Sequence, residues 1–407
     1  MRELERGTTH GASADEPAQR RLGPLIAGQG GRVPDEGTLA GGGGESTSSA
    51  STGSSATGPV VHPLRFGYGT NGLTDLRLND ALALLADLGY TGVGLTLDHM
   101  HLDPLAPDLA ARTRRVARRL DELGLSVTIE TGARYVLDPW RKHGPSLLDP
   151  DPEQRARRVD LLIRAVQVAT DLGAHAVHCF SGITPEDTDQ ETAWKRLAEP
   201  LTPVLDTATT AGIPLAIEPE PGHLLATLDD FHHLRRTLGS PDALGLTLDI
   251  GHCQCLEPLS PAECVRAAAP WLRHVQIEDM RRGLHEHLPF GDGEIDFPPV
   301  LEALATTPYQ GLIVVELPRH SHAGPQLAKQ SLQFLHHAAA ALKAQKPGSS
   351  QDSDNSHIAD GSQDLGGSQD PEGFQGPDGS QDPDSSHVPD ETPIPGEGPA
   401  ASEGRIP

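Results

Sequence analysis

Four short segments in the second half of the chain decide its fold: Leu215-Ala-Ile-Glu218, Leu246-Thr-Leu-Asp249, His274-Val-Gln276 and Ile313-Val-Val-Glu316. Each is an apolar run that ends in a carboxylate or an amide side chain. Apolar runs that recur between helical patterns indicate parallel strands, and α/β barrels place their chemistry at the carboxyl ends of such strands. The order Glu, Asp, Gln, Glu therefore predicts a single divalent-metal site at one end of a sheet.

The same alternation of β-rich runs and amphipathic stretches extends over residues 65–344, and we count eight βα units there. The predicted strands are Arg65–Gly69, Gly92–Leu97, Ser126–Thr131, Ala176–Phe180, Pro214–Glu218, Gly245–Ile250, His274–Glu278 and Gly311–Glu316. The clearest predicted helices are Asn79–Leu88, Asp108–Leu123, Pro152–Leu172 and Ala193–Ala211, each followed by a glycine that can end a helix. Eight units in roughly 280 residues predict a single closed (β/α)8 barrel, an α/β fold. An open doubly wound sheet is the rival, but Phe66-Gly-Tyr-Gly-Thr-Asn-Gly lacks the full dinucleotide spacing.

Composition divides the 407-residue chain into three segments. Residues 1–61 are rich in Gly, Ser and Thr and lack apolar periodicity, which predicts a disordered N-terminal extension. Residues 346–407 repeat the unit Gly-Ser-Gln-Asp and predict a disordered acidic tail. The barrel domain is therefore expected to span residues 62–345.

Charge, apolar patterning and cysteine content limit the partners, the compartment and the cysteine chemistry that we expect. The predicted barrel domain holds 37 acidic and 25 basic residues, so it lacks the basic face expected of a nucleic-acid-binding protein. No signal-peptide pattern or membrane-length apolar run is evident, which predicts a cytoplasmic protein that does not bind membranes. Four cysteines do not make a disulfide framework, and Cys253-Gln-Cys255 has no second pair at zinc-finger spacing.

The predicted site offers oxygen donors. Hard divalent cations such as Mg²⁺ or Mn²⁺ prefer carboxylate and amide oxygens, which Glu218, Asp249, Gln276 and Glu316 supply. We expect one ion, Mn²⁺ or Mg²⁺, with Co²⁺ and Zn²⁺ as alternatives. His252 follows Asp249 by three residues, where it can contact a substrate oxygen or cap the next helix.

These residues resemble the xylose isomerase-like (β/α)8 superfamily of sugar isomerases and epimerases, which also contains hydroxypyruvate isomerase, inosose dehydratase and apurinic-site repair endonucleases. The resemblance covers nearly all of residues 64–340. The matching motifs are Ile217-Glu218-Pro-Glu220, Leu248-Asp249-Ile-Gly-His252, His274-Val-Gln276-Ile-Glu-Asp279, Gly291-Asp-Gly-Glu294-Ile-Asp-Phe297 and Val315-Glu316. The third ligand of epimerases is usually His, whereas His-x-Gln resembles hydroxypyruvate isomerase, so the resemblance assigns that ligand to Gln276 and not to His274.

The resemblance and the residue chemistry imply the same reaction, which is proton transfer next to the carbonyl of a sugar or polyol-derived substrate. Glu218 and Glu316 are the expected catalytic base and acid, acting on opposite faces of an enediolate that the metal stabilises. Return of the proton to the same carbon gives epimerisation, and return to the adjacent carbon gives isomerisation. The implied partner is a small carbohydrate, and a homo-oligomer is compatible with the sequence.

Substrate-binding residues are expected around this centre. Epimerases place a substrate-binding Glu about six residues after the first ligand, where this chain has Leu224, so Glu220 is the expected substitute. Arg282 stands six residues after Gln276, where epimerases carry a substrate-contacting Arg, within a loop that also holds Arg281, His285 and His287. The remaining expected substrate-binding residues are His252, His178, His101 and Glu130.

Three other functions remain open from sequence. A lyase that dehydrates a cyclic polyol would use the same site and the same intermediate. A metal-dependent endonuclease or phosphodiesterase of this fold would need a basic groove and an Asp-Arg-His triplet before Gly291, and the chain has neither. A non-catalytic metabolite-binding protein is the third, although all four expected ligands are present.

Overall fold

Eight parallel strands close into a barrel in the computed structural model, which describes residues 61–344. The first seven are Phe66–Gly69 (β1), Gly92–Thr96 (β2), Ser126–Glu130 (β3), Val177–Phe180 (β4), Leu215–Glu218 (β5), Leu244–Asp249 (β6) and Leu272–Ile277 (β7). Two short strands, Asp279–Arg281 (β8) and Leu284–Leu288 (β9), then pair as a separate antiparallel hairpin. Ile313–Val315 (β10) closes the barrel between β7 and β1. The predicted eight-stranded barrel is confirmed.

Helices follow the strands and cover the outside of the barrel. Their bounds are Leu78–Leu88 (α1), Leu109–Leu123 (α2), Pro152–Leu172 (α3), Gln190–Ala211 (α4), Leu228–Thr237 (α5), Ile250–Leu256 (α6), Pro261–Ala268 (α7), Phe297–Thr306 (α8) and Gly324–Ala344 (α9). Within residues 61–344, none of these helices is long and apolar enough to cross a membrane.

Local sequence explains where these helices begin and end. Asp151 accepts a hydrogen bond from the backbone N–H of Glu153, and Pro152 occupies the first helical position, so α3 starts where the sequence predicts. The glycines that follow α1, α2, α3 and α4 all have left-handed φ values, from +63° to +99°. The glycine rule therefore predicted four helix ends correctly.

The inward-facing side chains change character along the barrel. The barrel strands are largely buried on both faces, as expected of a parallel sheet covered by helices. Near the carboxyl ends, the inward side chains become polar while remaining almost fully buried. They are Thr96, Glu130, His178, Glu218, Asp249, His274 and Gln276, each at most 3% exposed. This buried polar layer forms the floor of the candidate site.

The predicted tails are not described. Residues 1–60 and 345–407 lie outside the described part of the chain, so the expected disorder of both tails and the domain bounds 62–345 stay predictions.

Candidate metal centre

The four expected ligands lie at the same end of the barrel. Glu218 and Asp249 are the last residues of β5 and β6, and Glu316 directly follows β10. Gln276 pairs in register with Asp249 across the β6–β7 ladder. Because parallel neighbouring strands end at one rim, all four side chains are brought to the carboxyl end of the barrel interior.

Several oxygens of this set have no protein partner. Among residues 61–344, Glu218 Oε1, Asp249 Oδ2 and Gln276 Oε1 are buried and accept no hydrogen bond. His252 Nδ1 lies 3.2 Å from Glu218 Oε1, but it forms its hydrogen bond with the carbonyl oxygen of Pro219. Buried polar atoms are normally paired, and an unpaired one costs about 1–3 kcal/mol. A divalent cation prefers carboxylate and amide oxygens of this kind, so the chemistry of the donor set fits a metal.

Glu218 is held by two histidines. His178 Nε2 lies 2.6 Å from Glu218 Oε2, and both side chains are buried. Burial alone would raise the pKa of Glu218, but the charge and hydrogen bond of His178, together with the charge of His252, hold it well below its usual range. Burial lowers the pKa of both imidazoles, but the charge of Glu218 raises that of His178 above its usual value. The charges of Asp249, Glu220 and Glu218 raise that of His252 well above its usual value. Glu218 is therefore ionised and can accept a proton.

Glu316 is in the opposite electrostatic situation. Its Oε1 accepts a hydrogen bond of 2.9 Å from Asn71 Nδ2, which follows β1. Burial raises the pKa of Glu316 well above its usual range, and the charges of Glu130, Glu218 and Asp249 raise it further. Two carboxyl groups whose pKa values are driven apart suit the roles of base and acid.

A second buried histidine–carboxylate pair lies beneath the ligands. His274 Nε2 is 3.1 Å from Glu130 Oε1, and the Thr96 hydroxyl donates to Glu130 Oε2 at 3.1 Å. Glu130 is thus occupied by contacts across the barrel interior. It is one of the expected substrate-binding residues, but it is not among the residues that line the cavity.

The hairpin brings further donors to the centre. His285 and His287 come from β9, and His252 Nε2 lies 3.0 Å from His285 Nε2. Burial lowers the pKa of His285 to about 4 and that of His287 to about 3, so both imidazoles are neutral near pH 7. Glu278 is completely buried, and burial together with Asp249 and Glu316 raises its pKa well above the usual range.

Three groups of side chains within residues 61–344 are close enough to hold a cation, because their donor atoms lie within 4.8 Å of one another. They are Glu218, Glu220 and His252; Asp249, Glu278, His287 and Glu316; and His252, His285 and His287. Asp249 and Glu316 belong to one of these groups and Glu218 to another, so none of the three groups contains all of the expected carboxylate ligands.

A cavity of about 380 Å³ opens above these residues. Glu218 and Glu316 both line it, as do His178 and Glu220 from the expected substrate-binding set. Burial raises the pKa of Glu220 to about 7, with a further contribution from Glu218. His252 does not line the cavity, but it contacts His285, which does.

Two expected substrate-binding residues point elsewhere. The guanidinium of Arg282 donates to the carbonyl oxygen of Glu257, and Arg282 is not among the residues that line the cavity. His101 Nε2 lies 3.1 Å from the carbonyl oxygen of Leu76, and this residue does not line the cavity either. The β8–β9 hairpin explains the position of Arg282, because the chain turns back immediately after it.

Sequence reasoning did not assign roles to three residues that the structure places here: Asn71, Glu278 and His287. Glu278 was recognisable, because it follows Gln276 by two residues and so shares its face of the strand. His287 was noted only as part of a loop. Asn71 gave no local signal, since its contact with Glu316 joins residues 245 positions apart.

Comparison with known proteins places this geometry in a family. Residues 82–338 match the family model described as xylose isomerase-like TIM barrel, which is more than half of the chain. The chain belongs to this family. The resemblance inferred from the sequence motifs is confirmed.

Relatives within the xylose isomerase-like family have different named activities. A 2-oxo-tetronate isomerase of Cupriavidus necator is 28% identical over 158 residues, 38% of this chain and 58% of that protein. An L-ribulose-5-phosphate 3-epimerase of Shigella flexneri is 24% identical over 243 residues, 58% of this chain and 81% of that protein. An inosose dehydratase of Lacticaseibacillus casei is 30% identical over 149 residues, 32% of this chain and 49% of that protein. The matches thus cover about half of two of these relatives.

Solved structures of the xylose isomerase-like family share the fold. An L-ribulose 3-epimerase structure superposes with a TM-score of 0.56 at 23% identity, over 69% of this chain and 96% of that one. A structure described as the IolI protein with a bound zinc atom gives a TM-score of 0.55 at 17% identity, over 69% of this chain and 99% of that one. At these identities the likeness supports the fold alone.

Proposed function

We propose that the protein is a divalent-metal-dependent isomerase or epimerase that acts on a carbonyl compound derived from a sugar or a polyol. The observation that carries the proposal is the pair Glu218 and Glu316. They line one cavity, and their pKa values are shifted in opposite directions. At the same end of the barrel, Asp249 Oδ2 and Gln276 Oε1 are buried without a hydrogen-bond partner among residues 61–344. Proton transfer at carbon requires this combination of a base, an acid and a site for charge stabilisation.

Each carboxylate has a distinct role in the proposed reaction. Glu218, which His178 keeps ionised, removes the proton from the carbon next to the substrate carbonyl. Glu316, which keeps its proton more readily, supplies one on the return step while Asn71 fixes its orientation. Delivery to the original carbon from the opposite face inverts its configuration, whereas delivery to the neighbouring carbon moves the carbonyl group.

The proposed ligands of the ion are Glu218, Asp249, Gln276 and Glu316. A bound divalent ion would supply Lewis-acid stabilisation for negative charge that develops on the carbonyl oxygen. The oxygen donors of these four residues favour Mn²⁺ or Mg²⁺. Zn²⁺ is the alternative, because the IolI structure is described with a bound zinc atom.

The substrate is expected to be a small carbohydrate with a hydroxyl beside its carbonyl. Named relatives act on an oxo-tetronate, a pentulose phosphate and an inosose, according to their descriptions. Glu220 lines the cavity, so it is the residue we assign to a substrate hydroxyl group. His178 also lines the cavity, but its two ring nitrogens have protein partners, Glu218 and the backbone N–H of Thr131. We assign His252 to the support of Glu218 and of this wall, since it contacts both Glu218 and His285.

One observation favours a lyase as the second candidate. Glu220 faces the cavity beside Glu218, and its pKa of about 7 would let it donate a proton to a departing hydroxyl group. The inosose dehydratase relative has a named activity of this kind. The lyase would release water from the intermediate, whereas an isomerase or epimerase would return a proton to carbon.

Solvent isotope exchange tests the proposal directly. The full-length protein, loaded with Mn²⁺, is incubated in D₂O with ketoses, inososes and hydroxypyruvate, and products are examined by NMR. Deuterium at a carbon next to a carbonyl, absent with Glu218→Gln and Glu316→Gln, is the expected result. Release of water from an inosose would instead establish the lyase. A panel that shows neither exchange nor dehydration, with metal bound, would contradict both.

A further inference from the structure

A long loop between β3 and α3 forms part of the mouth of the cavity. It spans residues 131–151, and loops of more than about 12–15 residues in a compact domain are usually functional. Arg141 anchors this β3–α3 loop through ion pairs of 2.7 and 2.6 Å with two aspartates of the same loop. Its neighbour Lys142 and the earlier Arg134 line the cavity, and both are exposed. The loop therefore presents two positive charges at the opening.

Two contacts bring a third cation to the same place. Arg134 Nη2 donates a hydrogen bond of 3.3 Å to the carbonyl oxygen of Pro318, which follows β10. Because β1 and β2 lie between β10 and β3 in the barrel, this contact reaches across part of the mouth. Arg319, next to Pro318 in the chain, also lines the cavity and is exposed. Within the loop, the backbone N–H of Tyr135 donates to the carbonyl oxygen of Lys142 at 2.7 Å, so Arg134 and Lys142 lie on adjacent segments.

The protein does not use these three positive charges internally. Among residues 61–344, none of Arg134, Lys142 and Arg319 forms a salt bridge with a carboxylate. The acidic residues that line the cavity are buried or half-buried, in contrast to these exposed cations. They are Asp98, Glu218, Glu220 and Glu316. The cavity thus has negative charge at its buried end and positive charge at its exposed end.

The effect of the positive charge extends down one wall. His143 lines the cavity, and its pKa is lowered from 6.5 to about 4. Burial is the main cause, and the charges of Lys142, Arg158 and Arg134 lower this pKa further. The imidazole is therefore neutral near pH 7, and a neutral imidazole still offers one N–H donor. This wall suits a ligand group that carries negative charge.

We propose that the substrate carries an anionic group, a carboxylate or a phosphate, at the end away from its carbonyl, and that Arg134, Lys142 and Arg319 bind this group at the cavity mouth. The inference rests on the proposed function, because it takes Glu218 and Glu316 as the groups that act on the carbonyl end. Guanidinium and ammonium groups are strong partners of carboxylates and phosphates, and Arg can bind two oxygens of one such group. The opposite charges of the two ends of the cavity orient the substrate, because its anionic end is repelled by the buried carboxylates.

A solvated rim without a ligand is the competing interpretation, since basic side chains are mostly exposed in proteins. The predicted barrel domain, however, holds 37 acidic and 25 basic residues, so three unpaired cations around one opening differ from its average charge. The two interpretations predict different substrate preferences. A solvated rim treats neutral and anionic ketoses alike, whereas an anion site prefers the anionic ones and also binds simple anions.

The kinetic experiment uses full-length protein loaded with Mn²⁺ and measures kcat/KM for deuterium exchange from D₂O. The probes are two matched pairs: D-ribulose with D-ribulose 5-phosphate, and D-fructose with D-fructuronate. The variants are Arg134→Gln, Lys142→Gln and Arg319→Gln. Lys195→Gln is the matched control, because the Lys195 side chain on α4 is 72% exposed and does not line the cavity.

A binding experiment needs neither metal nor turnover. Inorganic phosphate and acetate are titrated by calorimetry into full-length protein from which metal and chelator have been removed, so that no ion can hold the anion. We expect the wild type and Lys195→Gln to bind phosphate or acetate with the same Kd. In each of the three mouth variants, this Kd should rise roughly 10-fold, the effect of losing one hydrogen bond to a charged group.

In the kinetic experiment, the anionic member of one pair should be preferred by roughly 10-fold or more, and each mouth variant should reduce this preference. A preference within the ribulose pair identifies a phosphate, and one within the fructose pair identifies a carboxylate. Exchange without any preference, together with no binding of phosphate or acetate, overturns the anion site and leaves the proposed function standing. Anion binding that the mouth variants weaken, without exchange into any probe, supports the anion site and contradicts the proposed function. An equal loss of binding in Lys195→Gln would also overturn the site.

Discussion

His178 Nε2 and Glu218 Oε2 lie 2.6 Å apart at the carboxyl end of the barrel, and each side chain is at most 4% exposed. His178 comes from β4 and Glu218 from β5, so the contact joins neighbouring strands whose ends pair in register. It fixes which oxygen of Glu218 remains free. The oxygen that His178 does not occupy, Oε1, is the one without a hydrogen-bond partner among residues 61–344.

The first prediction concerns this histidine. Replacing His178 with Phe keeps an aromatic ring but removes the group that orients and ionises Glu218. We expect the rate of deuterium exchange to fall roughly 10- to 100-fold, the usual effect of removing a group that orients a ligand. His232→Phe, on α5, is the control and should exchange at the wild-type rate. Equal rates for the two variants would show that Glu218 needs no support from His178.

A second prediction concerns Asn71 and its hydrogen bond to Glu316. In Asn71→Ala the carboxyl group loses its only hydrogen-bond donor within residues 61–344 and can rotate away from the substrate. A hydrogen bond to a neutral carboxyl group is worth about 0.5–1.5 kcal/mol, so kcat should fall by roughly 3- to 10-fold. The midpoint of thermal unfolding, Tm, should change little, because Asn71 lies at the cavity wall. A normal kcat in the variant would remove Asn71 from the proposed site.

The third prediction is a stabilisation by metal. Without an ion, the unpaired oxygens of Asp249 and Gln276 stay buried without a partner among the described residues. Mn²⁺ at about 100 times its Kd should add about 2.7 kcal/mol and raise Tm by roughly 5–10 °C. The shift should be smaller in Gln276→Ala, measured by differential scanning fluorimetry with and without chelator. An identical Tm in Mn²⁺ and in chelator would contradict a specific site.

Acid stability should depend on His143. Burial, together with the charges of Lys142 and Arg158, lowers the pKa of His143 from 6.5 to about 4. The unfolded chain therefore binds a proton between these values while the folded protein does not, so stability is lost as the pH falls from about 6.5 to 4.

His143→Phe should reduce that loss by about 1–2 kcal/mol, a value discounted for the partial exposure of the group. The new ring can keep the edge-to-face contact with Phe180, whose centroid lies 5.6 Å away. Urea unfolding at pH 7 and pH 5 measures the difference. A variant as sensitive to acid as the wild type would assign the loss to other groups.

A fifth prediction tests the crowding around Glu278. A Cβ at Gly251 would lie 2.1 Å from Glu278 Oε1 and 2.8 Å from Met280 Cε, so Gly251→Ala must displace one of them. We expect a loss of about 1–3 kcal/mol in unfolding free energy. Gly132→Ala is the matched control, because its Cβ would meet no atom closer than 3.7 Å. Chemical denaturation of both variants gives the comparison.

The barrel, and the position of Glu218, Asp249, Gln276 and Glu316 at one of its ends, could be predicted because each strand is a short apolar run followed by a polar residue. Parallel pairing then requires those residues to meet at one rim. Helix bounds were accurate where caps are encoded locally, as for Pro152–Leu172 between Asp151 and Gly173. Strand β6 begins one residue earlier than predicted, at Leu244, and β10 is only Ile313–Val315.

The β8–β9 hairpin, and the side-chain directions that depend on it, could not be predicted. The sequence Leu284-His-Glu-His-Leu288 has no buried apolar face, and its pairing with Asp279–Arg281 depends on contacts that Asp279 makes with distant backbone groups. The spacing from Gln276 therefore singled out Arg282, but it did not predict the direction in which the Arg282 side chain points. The interactions of Asn71 and Glu130 depend on which strands become neighbours in the closed barrel.

Asp249 both ends β6 and caps α6. Its Oδ1 accepts a hydrogen bond of 2.8 Å from the backbone N–H of His252, while Oδ2 remains unpaired among residues 61–344. The rotamer of this proposed ligand is therefore set when the helix forms. The side chain of Asp249 therefore loses its conformational entropy when the protein folds and not when an ion binds. Ion binding would then use a carboxylate that is already preorganised.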